Sequence, residues 1–272
     1  MEKNCIVVGY DSSATSKNAL KYAVDLAAHM DRNVVAVHVL RNTDERTEKE
    51  QVLKLALQAV DNPSDVTLDY RVIEGNAKED LSKIAEALKA ELIVLGTNRS
   101  NLWENFFGSS TMRTVKNSEV PYILVNPYVE FSPVEKIGVI IDSEKESAQI
   151  VKATANLAKA LGAEIHLIGT HYQDASYTQS ADHNMNVAQK YLAQLGMEGK
   201  GVFTQDEEFI FYITEYCKDQ GIDMVACTYR SGNFEIFSDR FVERLSEQAS
   251  GIPVLTRESE EIGTGSPFYF MQ

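Results

Sequence analysis

The chain has 272 residues, 44% of them hydrophobic and 24% charged, enough apolar material for a core in one large domain or in each of two ordinary ones. Its formal charge is −14, unevenly spread: residues 1–130 carry 15 basic and 19 acidic side chains, and residues 131–272 carry 11 and 21. So acidic a surface repels phosphate backbones and argues against nucleic acid as a partner, and no apolar run approaches the roughly 18 residues of a membrane span.

The first elements alternate strictly. Cys5–Tyr10 is a short continuous apolar run, as expected of a strand covered on both faces. Ser13–Met30 follows with a helical face at Leu20, Ala23, Val24, Ala27 and Ala28, capped by Ser13 or Thr15. Val34–Leu40 reads as a second buried strand, Glu50–Val60 as a helix, and Val66–Gly75 as a more alternating strand, nearer an edge. Lys78–Ala90 is a third helix, which Asn76 and Glu79 open with capping-box spacing. Glu91–Thr97 is a fourth strand, Ser109–Glu119 a helix and Pro121–Asn126 a last strand.

The same order then recurs. Residues 6–40 lie on residues 137–171 at an offset of 131, which puts Asp11 on Asp142, Ser12 on Ser143 and Ser16 on Ser147. Near the end of each copy the offset is 132, which puts Glu91 on Asp223 and Pro121 on Pro253. Strands are expected at 137–141, 164–170, 201–205, 223–228 and 253–256, and helices at 146–161, 182–196, 207–221 and 239–250. The pattern predicts two tandem α/β domains, 1–128 and 132–258, each a five-stranded parallel open sheet with helices on both faces, followed by a tail at 259–272. The join at 126–136 holds Pro127 and Pro133 and has no helical period.

Ligands of such sheets bind beyond the carboxyl ends of the strands, where the strand order reverses. That directs attention to Gly9-Tyr10-Asp11-Ser12 after the first strand and Gly96-Thr97-Asn98-Arg99 after the fourth. The second loop runs on to Gly108-Ser109-Ser110, which opens a helix. Glycine and hydroxyl residues at a helix N-terminus suit an anion, through outward amides and the helix dipole. They equally suit simple N-capping.

These residues resemble the universal stress protein family, in its tandem-domain form, over roughly 1–258. The resemblance rests on the opening strand with Asp11, the Leu95-Gly96-Thr97 strand exit, the Gly108-Ser109-Ser110-Thr111 helix start and the terminal Val120–Val125 strand. It implies a Rossmann-like (adenine nucleotide alpha hydrolase-like) fold and a stress-response binding module whose two domains form an internal pseudo-dimer, with further homodimerisation open. One subgroup binds ATP, with Mg, through Gly-x-x-Gly-x9-Gly-Ser/Thr. Carried over, Asp11 faces the adenosine, Val39 meets the adenine through its backbone, and Gly96, Gly108, Ser109 and Ser110 hold ribose and phosphates. Arg99 replaces the second glycine, and the spacer to Gly108 is one residue short. A Cβ there bars close backbone approach; Arg99 either supplies charge to phosphate or fills the site. In the second copy Thr228, Arg240 and Phe241 stand where the motif residues were, so no cofactor is expected there.

Two functions remain open on the sequence: a nucleotide-switched stress-response module with protein partners, or a nucleotide-independent interaction protein using the acidic surface and the Trp103, Phe106 and Phe107 loop. No membrane association and no catalysis is expected; slow ATP hydrolysis is the least favoured reading. The five histidines lack metal spacing, and His166 and His171 are read as structural. Cys5, Cys217 and Cys227 are read as small buried hydrophobes. With no leader pattern at its start, the chain is expected to be cytoplasmic.

Overall fold

A computed structural model describes residues 4–40, 43–96, 120–205, 209–229 and 252–259. The chain forms two compact units, Met1–Pro133 and Val134–Gln272. The expected helices at 109–119 and 239–250, the Trp103 loop and residues 260–272 of the tail lie outside the described residues.

In the first unit the elements are β1 (Cys5–Gly9), α1 (Ala14–Met30), β2 (Asn33–Leu40), a 3-10 turn (Thr43–Glu45) leading into α2 (Arg46–Ala59), β3 (Leu68–Glu74), α3 (Ala77–Ala87), β4 (Leu92–Gly96) and β5 (Tyr122–Val125). All strands are parallel, in the order β3-β2-β1-β4-β5. Every residue of β1 and β4 is buried, while β3 at the edge has one buried residue, Val72. The continuous and alternating apolar patterns therefore mark centre and edge, as pattern reasoning expects. Ile6, Val7, Val8, Ile93 and Val94 are fully buried, and each such side chain gains about 1.5–3 kcal/mol on leaving water.

Helix α1 buries the expected Leu20, Ala23, Val24 and Ala27, together with Ala19, Tyr22, Leu26 and Met30. Ser13 is its N-cap, its side chain accepting from the Ser16 N–H. Before α3, the carboxylate that accepts from the Asn76 N–H is Asp80 at 2.8 Å, one position beyond capping-box spacing. The segment after β5 is packed despite its prolines: Asn18 donates to the carbonyls of Asn126 and Val129, and the Phe131 ring meets Tyr22 edge-on at 5.3 Å.

The second unit contains β6 (Lys136–Ile141), a 3-10 segment (Lys145–Gln149), α4 (Ile150–Leu161), β7 (Glu164–His171), α5 (Ala175–Gln194), β8 (Gly199–Gln205), α6 (Phe209–Gln220), β9 (Met224–Tyr229) and β10 (Val254–Glu258). Its parallel order, β8-β7-β6-β9-β10, matches that of the first unit. Helix α5 begins seven residues before the expected start at Asp182, because Asp174 caps it through the Ser176 N–H at 2.7 Å. The added turns are polar and carry no apolar period for the sequence to display.

The three cysteines are buried and free, and burial pushes the Cys217 and Cys227 thiols up to about 12. His166 is buried with Nδ1 2.8 Å from the Tyr216 hydroxyl, and burial lowers its pKa. Among the described residues no helix is long and apolar enough to cross a membrane.

Candidate functional site

In the first unit the strand order reverses between β1 and β4, so the crevice expected to receive a ligand lies beyond Gly9 and Gly96. The chain leaves β1 through a tight corner. Tyr10 is buried, Asp11 is exposed, and Ser12 takes φ of 73° before Ser13 caps α1. Asp11 Oδ1 accepts from the Ser13 N–H at 2.9 Å, while the Asp11 N–H points to Ser16 Oγ at 3.3 Å. The Ser16 hydroxyl itself donates to the Ser13 carbonyl, and the Ser13 and Thr15 hydroxyls lie 2.8 Å apart. Partial burial of Asp11 raises its pKa, but hydrogen bonds from Ser13 and Ser16 outweigh that and hold it below the usual carboxylate range. Asp11 is therefore an exposed, ionised acceptor fixed at the mouth of the crevice.

Gly96 closes the other side. A Cβ there would overlap the Thr15 carbonyl and come within 2.8 Å of the Ser16 nitrogen. The absence of a side chain at Gly96 thus lets the first turn of α1 sit against the end of β4. This is a packing demand that the sequence motif, read as a ligand loop, does not reveal.

Val39 lies on β2 beyond the point where β1 stops. The last β1–β2 pair is Gly9 with Val37, whereas β2 continues beside β3 to the pair Leu40 with Glu74. The Tyr10 N–H bonds to the Val37 carbonyl at 2.9 Å, so odd-numbered β2 residues direct their peptide groups toward β1. The N–H and C=O of Val39 accordingly face the crevice past the end of β1. A donor and an acceptor side by side on one extended residue can read the edge of a flat heterocycle. Of the site residues expected from the sequence, Asp11, Val39 and Gly96 stand around this crevice, and Arg99, Gly108, Ser109 and Ser110 lie outside the described residues.

Sequence reasoning passed over His38, weighing it only for metal spacing. Its Nδ1 lies 2.7 Å from the Tyr10 carbonyl, at the same corner. The signal available in the sequence was its place next to Val39 on a strand longer than its neighbour.

The matching corner of the second unit keeps the wiring and loses the opening. Asp142 Oδ1 accepts from the Glu144 N–H at 2.8 Å, and the Asp142 N–H bonds to Ser147 Oγ at 3.1 Å. Both bonds repeat those of Asp11, residue for residue, at the offset of 131. Yet Asp142 is 2% exposed. The Asn184 amide of α5 donates to its carbonyl at 2.9 Å, and the Tyr172 hydroxyl stands 3.4 Å from the Ser143 nitrogen. Burial raises the Asp142 carboxyl to about 7, with Glu144 and Glu146 adding to the rise and the Glu144 N–H and Ser147 opposing it. Thr170, at the place of Val39, and Thr228, at the place of Gly96, are buried. Arg230, Arg240 and Phe241 lie outside the described residues.

Comparison with known proteins agrees with this reading of the fold. Residues 4–126 match the model of the Universal stress protein family. Over 137 residues the chain is 27% identical to a universal stress protein of Methanocaldococcus jannaschii, a match covering 44% of this chain and 80% of that one. The crystal structure of a universal stress protein from Archaeoglobus fulgidus is similar over 95% of this chain and 99% of its own, at 17% identity and a TM-score of 0.70. A further Archaeoglobus fulgidus universal stress protein, solved in complex with dAMP, is similar over 46% of this chain and 98% of its own, at 20% identity and a TM-score of 0.38.

Proposed function

We propose that this chain, whose first unit belongs to the universal stress protein family, is a tandem-domain binding module that takes one purine nucleotide, ATP, in its first unit and none in its second. The observation that carries this is the contrast between the two corners. In the first, an exposed ionised Asp11 and the peptide edge of Val39 flank one crevice. In the second, Asp142 and Thr170 are buried, and the Asn184 amide donates to the Asp142 carbonyl. Asp11 accepts from hydroxyl donors of the nucleoside, Val39 reads the base, and Gly108, Ser109 and Ser110 receive the phosphates, with Arg99 adding charge. Joining both units in one chain replaces the assembly of two single-domain copies. Binding, not turnover, is the activity: ATP is a switch for engaging protein partners, and single-turnover assays are expected to release no phosphate.

Calorimetry of the full chain with ATP, with and without magnesium, tests the reading. One site per chain is expected, weakened by Asp11→Ala and by Gly108→Ala. No heat from the wild type, or binding indifferent to both substitutions, sinks it.

A second reading has its own observation. Tyr177, Phe203, Phe211 and Tyr212 of the second unit are 37–53% exposed, a display of large apolar side chains that suits a protein partner. Partner capture that ignores nucleotide and is lost on Phe211→Ser favours it.

A further inference from the structure

The first unit's β1–β2 ladder stops one rung earlier than its counterpart in the second. In the first unit the pairs run from Cys5 with Asn33 to Gly9 with Val37. In the second they run in the same register, at the offset of 131, but continue past Ile140 with Ile168 to Ile141 with Gly169. In a parallel ladder that added rung joins the N–H of Thr170 to the Ile141 carbonyl. The equivalent bond in the first unit would join the Val39 N–H to the Tyr10 carbonyl. Its companion is present, the Tyr10 N–H donating to the Val37 carbonyl at 2.9 Å, so the strands are close enough. The Tyr10 carbonyl instead meets His38 Nδ1 at 2.7 Å. At the place of His38 the second unit has Gly169, which has no side chain to compete for the carbonyl.

The geometry points to His38 as the positioning residue that keeps the ligand edge of β2 open, by taking the Tyr10 carbonyl onto its own ring N–H and so leaving the Val39 N–H for an incoming acceptor. This rests on the nucleotide reading for the identity of that acceptor, a ring nitrogen of the base. It does not rest on that reading for the broken rung. A carbonyl accepts only, so Nδ1 carries the proton in this contact. The bond also ties down Tyr10, the residue before Asp11, so one imidazole fixes both walls of the crevice. A neutral hydrogen bond of this kind shifts an equilibrium by about tenfold at most, which is enough to decide whether a single ladder rung closes.

Two substitutions separate the donor from the bulk. His38→Leu keeps a large strand-compatible side chain and removes the donor; His38→Asn places an amide N–H near the position of Nδ1. Amide hydrogen exchange by NMR on the ligand-free full chain reads the rung directly. The Val39 N–H is expected to exchange rapidly in the wild type and in His38→Asn, and about tenfold more slowly in His38→Leu, where the Tyr10 carbonyl is free to recapture it. Calorimetry with ATP then reads the consequence: about tenfold weaker binding by His38→Leu and near wild-type binding by His38→Asn. Unchanged Val39 exchange in His38→Leu overturns the inference, as does equal slowing in both variants, since the side chain would then act by bulk and not by its donor. If exchange responds as expected but the wild type takes up no ATP, His38 still holds the edge open and it is the nucleotide reading that fails.

Discussion

Asp11 and Asp142 occupy the same corner of the same fold and carry the same pair of backbone bonds, yet they are opposite kinds of carboxylate. Asp11 is exposed and held below the usual carboxylate range. Asp142 is buried and raised to about 7. The turn that makes the corner is a property of the local sequence, Asp followed five residues later by Ser. Whether the corner is a site depends on what the rest of the unit places over it. In the second unit α5 is a single 20-residue helix that brings Asn184 onto the Asp142 carbonyl. In the first, a 3-10 turn and the shorter α2 stand between β2 and β3.

The largest effect is expected from making the first unit resemble the second at the strand-four exit. Gly96→Thr installs the residue of the second unit, Thr228, where the backbone of Thr15 and Ser16 leaves no room for a Cβ. The obstacle is helix backbone, which cannot rotate aside as a side chain can. A loss of about 3 kcal/mol in urea unfolding is expected. In the second unit the segment packed on β9, Lys145–Gln149, is 3-10 and not α-helical. A loss under about 1 kcal/mol would mean that the first turn of α1 can take the same course.

Next in size is the pH dependence of the second corner. A carboxyl whose folded pKa lies above its unfolded value binds its proton more tightly in the native state, so it favours folding at low pH. That advantage is lost as pH rises from the ordinary 3.8 toward about 7, and is gone above it. The full shift corresponds to a ceiling of about 4 kcal/mol. Asp142→Asn stays neutral and keeps an acceptor for the Glu144 N–H. It is expected to flatten the fall in stability between pH 5 and pH 8 and to be the more stable form at pH 8, by about 2 kcal/mol. Parallel stability profiles for the two proteins would show that Asp142 is charged or hydrated in the fold.

What the sequence exposed and what it hid follow from the same comparison. The alternation of strands and helices, the two-sided covering of β1 and the edge position of β3 were legible, because apolar periodicity records which faces are covered. The match of Asp11 to Asp142 was legible too, because a turn is written in adjacent residues. The burial of Asp142 was not: it depends on Asn184 and Tyr172, 42 and 30 positions away, and no local pattern announces that they converge. The packing role of Gly96 was hidden for a related reason. A glycine facing a ligand and a glycine facing a helix look alike in a string of letters. His38 went unnoticed because it was weighed for metal spacing alone, when the relevant fact was that its neighbouring strand ends early.

Closing the second corner depends in part on one amide. Asn184→Leu removes the donor to the Asp142 carbonyl and leaves that buried oxygen without it, at a cost of about 1–2 kcal/mol in urea unfolding. Asn18→Leu is the companion in the first unit, where the lost bonds go to the carbonyls of Asn126 and Val129 after β5. Asn18 itself is half-buried where Asn184 is buried, so water replaces more of what is lost and the cost there should be smaller. Equal losses would say that the two amides do the same structural work and that Asn184 has no special part in sealing the corner.

The smallest effect on stability is expected where the effect on binding should be greatest. Asp11 is held ionised by hydrogen bonds from Ser13 and Ser16, so what it contributes to folding is present above the ordinary carboxylate pKa and is lost as pH falls through its lowered folded value. Because the side chain is exposed, water screens most of that contribution, and Asp11→Asn retains an oxygen for the Ser13 N–H. A change of about 0.5 kcal/mol at pH 7 is expected. The same substitution exchanges a charged acceptor for a neutral one at the mouth of the crevice, and charge-assisted bonds are about twice as strong as neutral ones. ATP affinity should therefore fall several-fold while the urea midpoint hardly moves. If the two fall together, the role of Asp11 is confined to the turn, as its buried twin's is, and the first corner is distinguished only by the exposure of its carboxylate.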